Sequence, residues 1–254
     1  REEAIRALET GIWLADECFA KGCRCLLPGE MGIANTTSSA AIAAALCGLT
    51  PEAATGRGTN ISDERLKVKI EAVRRILEVN RPDPTDGLDV LQKVGGFELG
   101  CIAGLILGAA ARRMLVVLDG ANTTSAALIA HALAPNCVHY LLASHASLTE
   151  HSQPHALRRL GLSPILRLDI RLSEAAGSSI ALRMLTQMIK IWDILDEAKE
   201  GSPLSPLFNF PCPSLCPQEE KTTVTFAPPS ASAMEACQYR LDNLAKPIHS
   251  LGYL

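Results

Sequence analysis

The chain has 254 residues, 48% of them hydrophobic and only 4% aromatic, with a formal net charge of -3. That length and apolar content support one large core or two small ones. The weak negative charge, the lack of a long basic run and the scarcity of stacking rings exclude a nucleic-acid binder, and the most apolar stretch, 99–111, is too short and too rich in glycine to span a bilayer. Ala, Leu and Gly carry the interior, which favours α/β layering over a sandwich of aromatic and β-branched strands. Nine cysteines are scattered without a metal or disulfide framework and read as idle thiols in a reducing compartment, so the expected place is the cytoplasm. The chain begins at Arg1 rather than Met, which reads as a fragment or a processed form and leaves an N-terminal targeting segment open.

Residues 2–20 alternate charges with Ala, Ile, Leu and Trp13 at helical spacing, predicting a helix with Trp13 in the core, ended by Gly22. Cys23–Leu27 reads as a strand. Pro28-Gly-Glu-Met-Gly-Ile-Ala-Asn-Thr-Thr-Ser-Ser-Ala40 follows, then an Ala-rich helix from about Asn35 to Cys47, closed by Gly48. Asn35, Thr36 and Thr37 stand where N-cap residues belong. A helix N-terminus offers unpaired N–H groups and the positive end of the macrodipole, so this turn suits a phosphate or carboxylate. The same pattern also describes an ordinary close-packed α/β connection. It is neither a Walker loop nor Gly-x-Gly-x-x-Gly.

Thr50-Pro51-Glu52 starts a short capped helix, broken by Gly56-Arg57-Gly58-Thr59-Asn60. Ser62-Asp63-Glu64 opens a long amphipathic helix to about Val79, whose charges, Lys69 among them, read as a solvated face on spacing alone. Further helices are expected over 87–94 and 99–112, and Met114–Leu118 reads as a buried parallel strand ending in Asp119-Gly120. Asn122-Thr123-Thr124 repeats the earlier Asn-Thr-Thr triplet before another Ala-rich helix, 125–133. Two strand–loop–helix units with the same capping chemistry suggest a doubly wound sheet, whose ligands sit beyond the carboxyl ends of the strands. A third strand is expected over 138–143, a helix over 156–160 stopped by Gly161, an apolar stretch at 165–168, and a turn at 172–178 before a helix over 179–200. After Gly201 the composition becomes proline-rich and aperiodic. The expected organisation is therefore an α/β domain over 1–200, and a poorly structured Pro/Ser-rich tail over 201–254.

Six stretches together carry a resemblance: Gly29-Glu-Met-Gly-Ile-Ala-Asn-Thr-Thr37; Gly56-Arg-Gly-Thr59 with Asp63-Glu64; Val94-Gly-Gly-Phe-Glu98; Leu107-Gly-Ala-Ala110; Leu118-Asp-Gly120; and Leu160-Gly-Leu162 leading to Arg171-Leu-Ser-Glu174. In order and spacing, over about residues 1–195, the chain resembles the nicotinate-nucleotide–dimethylbenzimidazole phosphoribosyltransferase family of cobalamin synthesis. The resemblance implies a Rossmann-like parallel sheet flanked by helices on both faces, a homodimer, and no metal or redox cofactor. It implies transfer of phosphoribose from nicotinate mononucleotide to 5,6-dimethylbenzimidazole, giving nicotinate and α-ribazole 5′-phosphate. Nucleic acid and membrane are not among the implied partners.

Carried over by position, Glu174 stands where the family places its general base. The phosphate and ribose would rest on Gly32, Ala34, Asn35, Thr36 and Thr37, with Lys69 neutralising the phosphate. Ser144 and Gly177 would complete the rim, and Glu30 would either hold the loop or touch the ribose.

Four departures stand out. Ala34 replaces the second glycine of the family's Gly-Ile-Gly-Asn; a methyl group there is tolerated at φ < 0 and otherwise hinders close backbone approach. Ser173-Glu174-Ala175-Ala176-Gly177 replaces Gly-Glu-Gly-Ser/Thr-Gly around the base. The usual Gly-His before Leu160 does not align. The family's N-terminal region, which supplies part of the aromatic-base pocket, is missing. These departures keep a second reading in play: a catalytically impaired, family-derived nucleotide-binding protein. An unrelated Rossmann-type dehydrogenase is disfavoured, because no dinucleotide fingerprint or ribose-binding acid follows the first strand.

Overall fold

The structure is a computed structural model that describes residues 1–199 except 59, 148, 169 and 171–173, with side chains as far as 192. Thr59, the Arg171–Ser173 part of the last matching stretch and the expected tail over 201–254 lie outside the described residues.

The chain is mixed α/β and mostly helical, with every described strand pairing parallel. Helix α1 (Glu2–Ala20) leads to the short strand β1 (Cys25–Leu26), helix α2 (Asn35–Cys47), the single turn α3 (Pro51–Ala54) and helix α4 (Asp63–Asn80). Helices α5 (Gly87–Val94) and α6 (Phe97–Ala111) precede β2 (Leu115–Leu118) and α7 (Ala121–Leu133). A 3-10 helix over Pro135–Tyr140 feeds β3 (Leu141–Ala143). Then come β4 (His145–Ala146), α8 (Ser152–Leu160), β5 (Leu166–Arg167) and α9 (Ala176–Lys199). Strands β1, β2 and β3 form one sheet in that order, with Leu26 opposite Val116 and Val116 opposite Leu141. β4 and β5 form a separate pair, with His145 opposite Leu166.

Local chemistry sets most boundaries. The Ser62 hydroxyl caps α4 and the Asp86 carboxylate takes the Leu88 and Asp89 N–H groups to cap α5. Gly48 and Gly161 end α2 and α8 in the left-handed conformation. The third strand is shorter than expected because Pro135 diverts the chain into a 3-10 turn first. Trp13 is not core: it is 58% exposed. The buried face of α1 runs through Ala4, Ala7, Leu8, Gly11 and Ala15, and Trp13 lies roughly opposite that stripe.

The core is built from small side chains brought very close. α1 and α6 touch backbone to backbone, so that a Cβ at Gly104 would lie 1.9 Å from the Leu8 carbonyl oxygen, and one at Gly11 the same distance from that of Cys101. Helix α7 is buried on all sides from Ala121 to Ala130, wedged between α2, α6 and α8. It holds the centre, and its N-terminus follows the carboxyl end of β2. The carboxyl ends of β1, β2 and β3 all open toward one cleft. No described helix is long and apolar enough to cross a membrane.

Candidate active site

A cleft of about 740 Å³ lies where the N-termini of α2 and α7 meet the flank of α4. Glu30, Gly32, Ala34, Asn35, Thr36, Thr37, Lys69 and Glu174 all line it. Ser144 and Gly177 stand behind its wall, and both are buried.

Asn35 is the first residue of α2 rather than its cap. The cap position falls to Ala34, at φ +68°, and no side chain closes the helix end. The reason is that the polar side chains are committed elsewhere. Glu30 Oε2 accepts the Gly32 N–H at 2.8 Å and a hydrogen bond from the Asn35 amide. Its Oε1 accepts from the Asn122 amide. Asn122 also donates to Asn35 Oδ1 at 3.0 Å and accepts from the Ser39 hydroxyl at 2.7 Å. Thus Glu30 fixes the shape of the turn and ties it to α7, which leaves the first N–H groups of α2 without side-chain caps at the cleft. Asn122 likewise falls inside the first turn of α7, behind Gly120 as cap.

Lys69 is the cation beside the α2 N-terminus; Arg57 and Arg65 also line the cleft. Its ammonium donates to Thr36 Oγ1 at 2.9 Å and to the Gly56 carbonyl at 3.0 Å. Burial holds its pKa below the usual lysine range, an effect opposed by Glu150. Glu150 is buried in the loop after β4. Its Oε1 accepts the Gly58 N–H at 2.5 Å, while Arg57 N–H reaches the Thr149 carbonyl at 3.1 Å, so the 56–58 and 149–150 loops are stitched together. Burial pushes the Glu150 carboxyl above its ordinary value; Lys69, the Gly58 N–H and His151 pull it back.

Glu174 is exposed on the cleft just ahead of α9, and Asp119 holds the segment that follows it. Asp119 Oδ1 accepts the Ser178 N–H at 2.9 Å. Burial raises the pKa of this carboxyl, while the N–H groups of Ser178, Gly177 and Ala175 and the nearby His145 oppose the rise. Its Oδ2 is buried without a hydrogen-bond partner among the described residues. His145 Nδ1 sits 3.8 Å from Asp119 Oδ1 and 3.0 Å from Ser144 Oγ, and burial lowers its pKa. Gly177 packs so tightly on this ring that a Cβ there would fall 2.1 Å from Nδ1. Ser144 and Gly177 therefore support the wall through His145.

The arrangement offers three things: N–H groups at helix ends, a half-buried ammonium beside them, and an accessible carboxylate on the same cleft. The first two suit an oxyanion such as a phosphate ester. The third can take a proton from a group bound next to it. Sequence reasoning missed Asn122, His145, Asp119 and Glu150. The repeated Asn-Thr-Thr triplet marks Asn122, and the Asp119-Gly120 strand end marks Asp119. Nothing local marks Glu150, whose partners Gly58 and Lys69 belong to distant segments of the chain.

A family model described as phosphoribosyltransferase matches residues 1–201. The nicotinate-nucleotide–dimethylbenzimidazole phosphoribosyltransferase of Syntrophotalea carbinolica is 51% identical over 195 residues, covering 74% of this chain and 55% of that protein. The same-named protein of Clostridioides difficile is 46% identical over 185 residues, covering 73% and 53%. The crystal structure of CobT from Thermus thermophilus superposes with a TM-score of 0.68 at 43% identity, over 72% of this chain and 54% of that one. The chain thus spans about half the length of the curated relatives it matches. With 201 of its 254 residues under the family model, the chain belongs to this phosphoribosyltransferase family.

Proposed function

We propose that this cleft transfers phosphoribose from nicotinate mononucleotide to 5,6-dimethylbenzimidazole, releasing nicotinate and forming α-ribazole 5′-phosphate; the relatives are named as nicotinate-nucleotide–dimethylbenzimidazole phosphoribosyltransferases. The observation that carries the reading is that Glu174 shares one cleft with the α2 N-terminus, Thr36 and Lys69. A phosphate held by the α2 N–H groups and Lys69 would place the sugar along the cleft toward Glu174. A benzimidazole nitrogen then attacks the anomeric carbon, and the bond to the pyridinium nitrogen breaks with its electron pair going to that ring. Nicotinate leaves with a neutral ring and needs no acid. The proton on the other benzimidazole nitrogen passes to Glu174. Glu30 keeps the turn in shape, and Asp119 with His145 positions the Glu174 segment. A Rossmann-like sheet, a homodimer and a cytoplasmic setting belong to the same reading.

The test is incubation of the chain with both substrates, with product identified by chromatography and mass. Wild type is expected to give α-ribazole phosphate, and Glu174→Gln to lose about 10²–10⁴-fold in rate, the span that one general base supplies. Saturable binding of nicotinate mononucleotide without product would instead favour a binding protein. One observation leans that way: Ala34 and Ala175, flanking the two halves of the cleft, both sit at positive φ where the family pattern has glycine.

A further inference from the structure

His145 meets the cleft and the wall behind it with opposite edges of one ring. The residue is only 1% exposed, yet it is among those that line the cleft. Its Nδ1 edge is closed. Nδ1 lies 3.0 Å from Ser144 Oγ and 3.8 Å from Asp119 Oδ1, and a Cβ on Gly177 would fall 2.1 Å from Nδ1 and 2.6 Å from Cε1. The other ring nitrogen is different. Among the described residues, the hydrogen bonds of this side chain stop at Nδ1. The fully enclosed side-chain nitrogens and oxygens without a partner there are Glu9 Oε1 and Asp119 Oδ2. Nε2 is neither bonded nor enclosed, so the small part of the ring that reaches the cleft includes this nitrogen. Its neighbours also fix the hydrogen. Ser144 Oγ donates its own hydrogen to the Asp119 carbonyl at 3.3 Å, so toward Nδ1 it is an acceptor. The Asp119 carboxylate is a second acceptor on the same side. Both favour a hydrogen on Nδ1 and a lone pair on Nε2. Burial lowers the pKa of the ring, which keeps it neutral at ordinary pH.

Nε2 is thus an unused acceptor in a place nearly closed to water, and such a group gains from meeting a donor. The carboxylates of the cleft are differently employed. Glu30 is committed to Gly32, Asn35 and Asn122, and Glu150 to Gly58. Glu174 is exposed. Nicotinate mononucleotide, with its phosphate and carboxylate ionised and its pyridinium nitrogen alkylated, has hydrogens to donate only on the ribose hydroxyls. The N–H of the benzimidazole needs a base that can pass the proton on to water, and the exposed Glu174 meets that need better than an enclosed imidazole. We propose that His145 Nε2 accepts a hydrogen bond from a secondary hydroxyl of the bound pentose, and so holds the sugar against the wall between the phosphate at Lys69 and the carboxylate of Glu174. The inference deepens the phosphoribosyl reading and rests on it for the identity of the ligand. Ser144 and Asp119 are then positioning residues that act through the ring, by keeping its hydrogen on Nδ1.

The test is calorimetric titration of the whole chain at about pH 7.5, where a phosphate monoester is dianionic. Nicotinate mononucleotide is compared with its 2′-deoxy and 3′-deoxy analogues, and ribose 5-phosphate with its 2-deoxy and 3-deoxy analogues. Wild type is expected to bind one deoxy analogue of each series about tenfold more weakly, the contribution of one hydrogen bond to a shielded acceptor. In His145→Ala that preference should fall to about one, and His145→Gln, which can offer an amide oxygen nearby, should restore part of it. Nitrogen-15 spectroscopy of the wild type needs no variant to fold: Nε2 should report a lone pair in the free chain, and shift with ribose 5-phosphate but not with the discriminated analogue. Equal binding of all three sugars by the wild type overturns the proposal, as does a preference that persists in His145→Ala or a hydrogen found on Nε2 in the free chain. Discrimination among the ribose phosphates with no binding of nicotinate mononucleotide keeps His145 in this role and removes the transferase reading. Binding of nicotinate mononucleotide without discrimination does the reverse, and failure to bind any of them removes both.

Discussion

Ala34 and Ala175 are where the sequence pulls against the backbone. Both are held in the left-handed region, at φ +68° and +60°, and both stand next to residues that line the cleft. A methyl-bearing residue in that conformation costs about 1–2 kcal/mol. Glycine would remove the cost, but it would also loosen the unfolded chain by about 0.4–1 kcal/mol. The balance favours glycine by about 0.5–1 kcal/mol at each position. Ala34→Gly and Ala175→Gly are therefore expected to raise the thermal midpoint by about 1–4 °C each, and calorimetry or circular dichroism would show it. A fall in midpoint would mean that these turns relax away from positive φ. Of the two cases weighed from sequence for Ala34, the structure shows positive φ, in which its methyl hinders close backbone approach and the chain carries the strain. Strain of this kind beside a binding cleft is a common place for backbone energy to be stored.

At the scale of the element, α6 decides between two rules that disagree. Gly104 lies inside a helix, and replacing a helical glycine by alanine ordinarily gains about 1 kcal/mol. Here the new methyl would meet the Leu8 carbonyl oxygen at 1.9 Å, and backbone in a packed helix has no rotamer to yield. Overpacking of this severity costs about 1–3 kcal/mol or more, so the clash wins. Gly104→Ala is expected to lower stability by about 1–2 kcal/mol net, read as a reduced urea midpoint with unchanged slope. An increase in stability would show that α1 and α6 are not in backbone contact. The same contrast explains what could be read from the chain beforehand. Ser62, Gly48 and Gly161 announced their helix ends because capping is settled within about four residues. Trp13 misled because helical spacing identifies a face but not what covers it. Asn35 and Asn122 looked like caps, yet a carboxylate from another segment, Glu30, draws both into side-chain bonds. The cleft itself was half legible: the turn after β1 came from its motif, Lys69 and Glu174 from the family resemblance, whereas Glu150, Asp119 and His145 act through partners that only the folded chain brings near.

Helix α9 gives the molecule as a whole a face still to be covered. It leaves the cleft at Ala176, and Ile180, Met184, Met188 and Ile191 follow at spacings of four, four and three, which places them on one stripe. They are 44%, 42%, 61% and 55% exposed. Burying the exposed part of each would be worth about 1 kcal/mol, taking half of the roughly 1.5–3 kcal/mol for a whole apolar side chain. One stripe alone supplies about 4 kcal/mol, only the lowest end of the roughly 4–15 kcal/mol that association costs in lost freedom. An isologous two-fold contact counts the stripe twice, so the doubled stripe supplies about 8 kcal/mol, which lies within that range. The homodimer proposed above is thus expected to use α9 and to be marginal: at most about 4 kcal/mol is left over, a Kd of about 1 mM, so it is populated at about millimolar protein and dissociates on dilution. Light scattering should give about twice 27.1 kDa for the wild-type chain, and Met184→Glu with Met188→Glu should return the mass of one chain, because two carboxylates on each copy would have to be desolvated in the contact. A wild-type mass near a single chain at that concentration removes the dimer. A dimer that survives both substitutions moves it off α9.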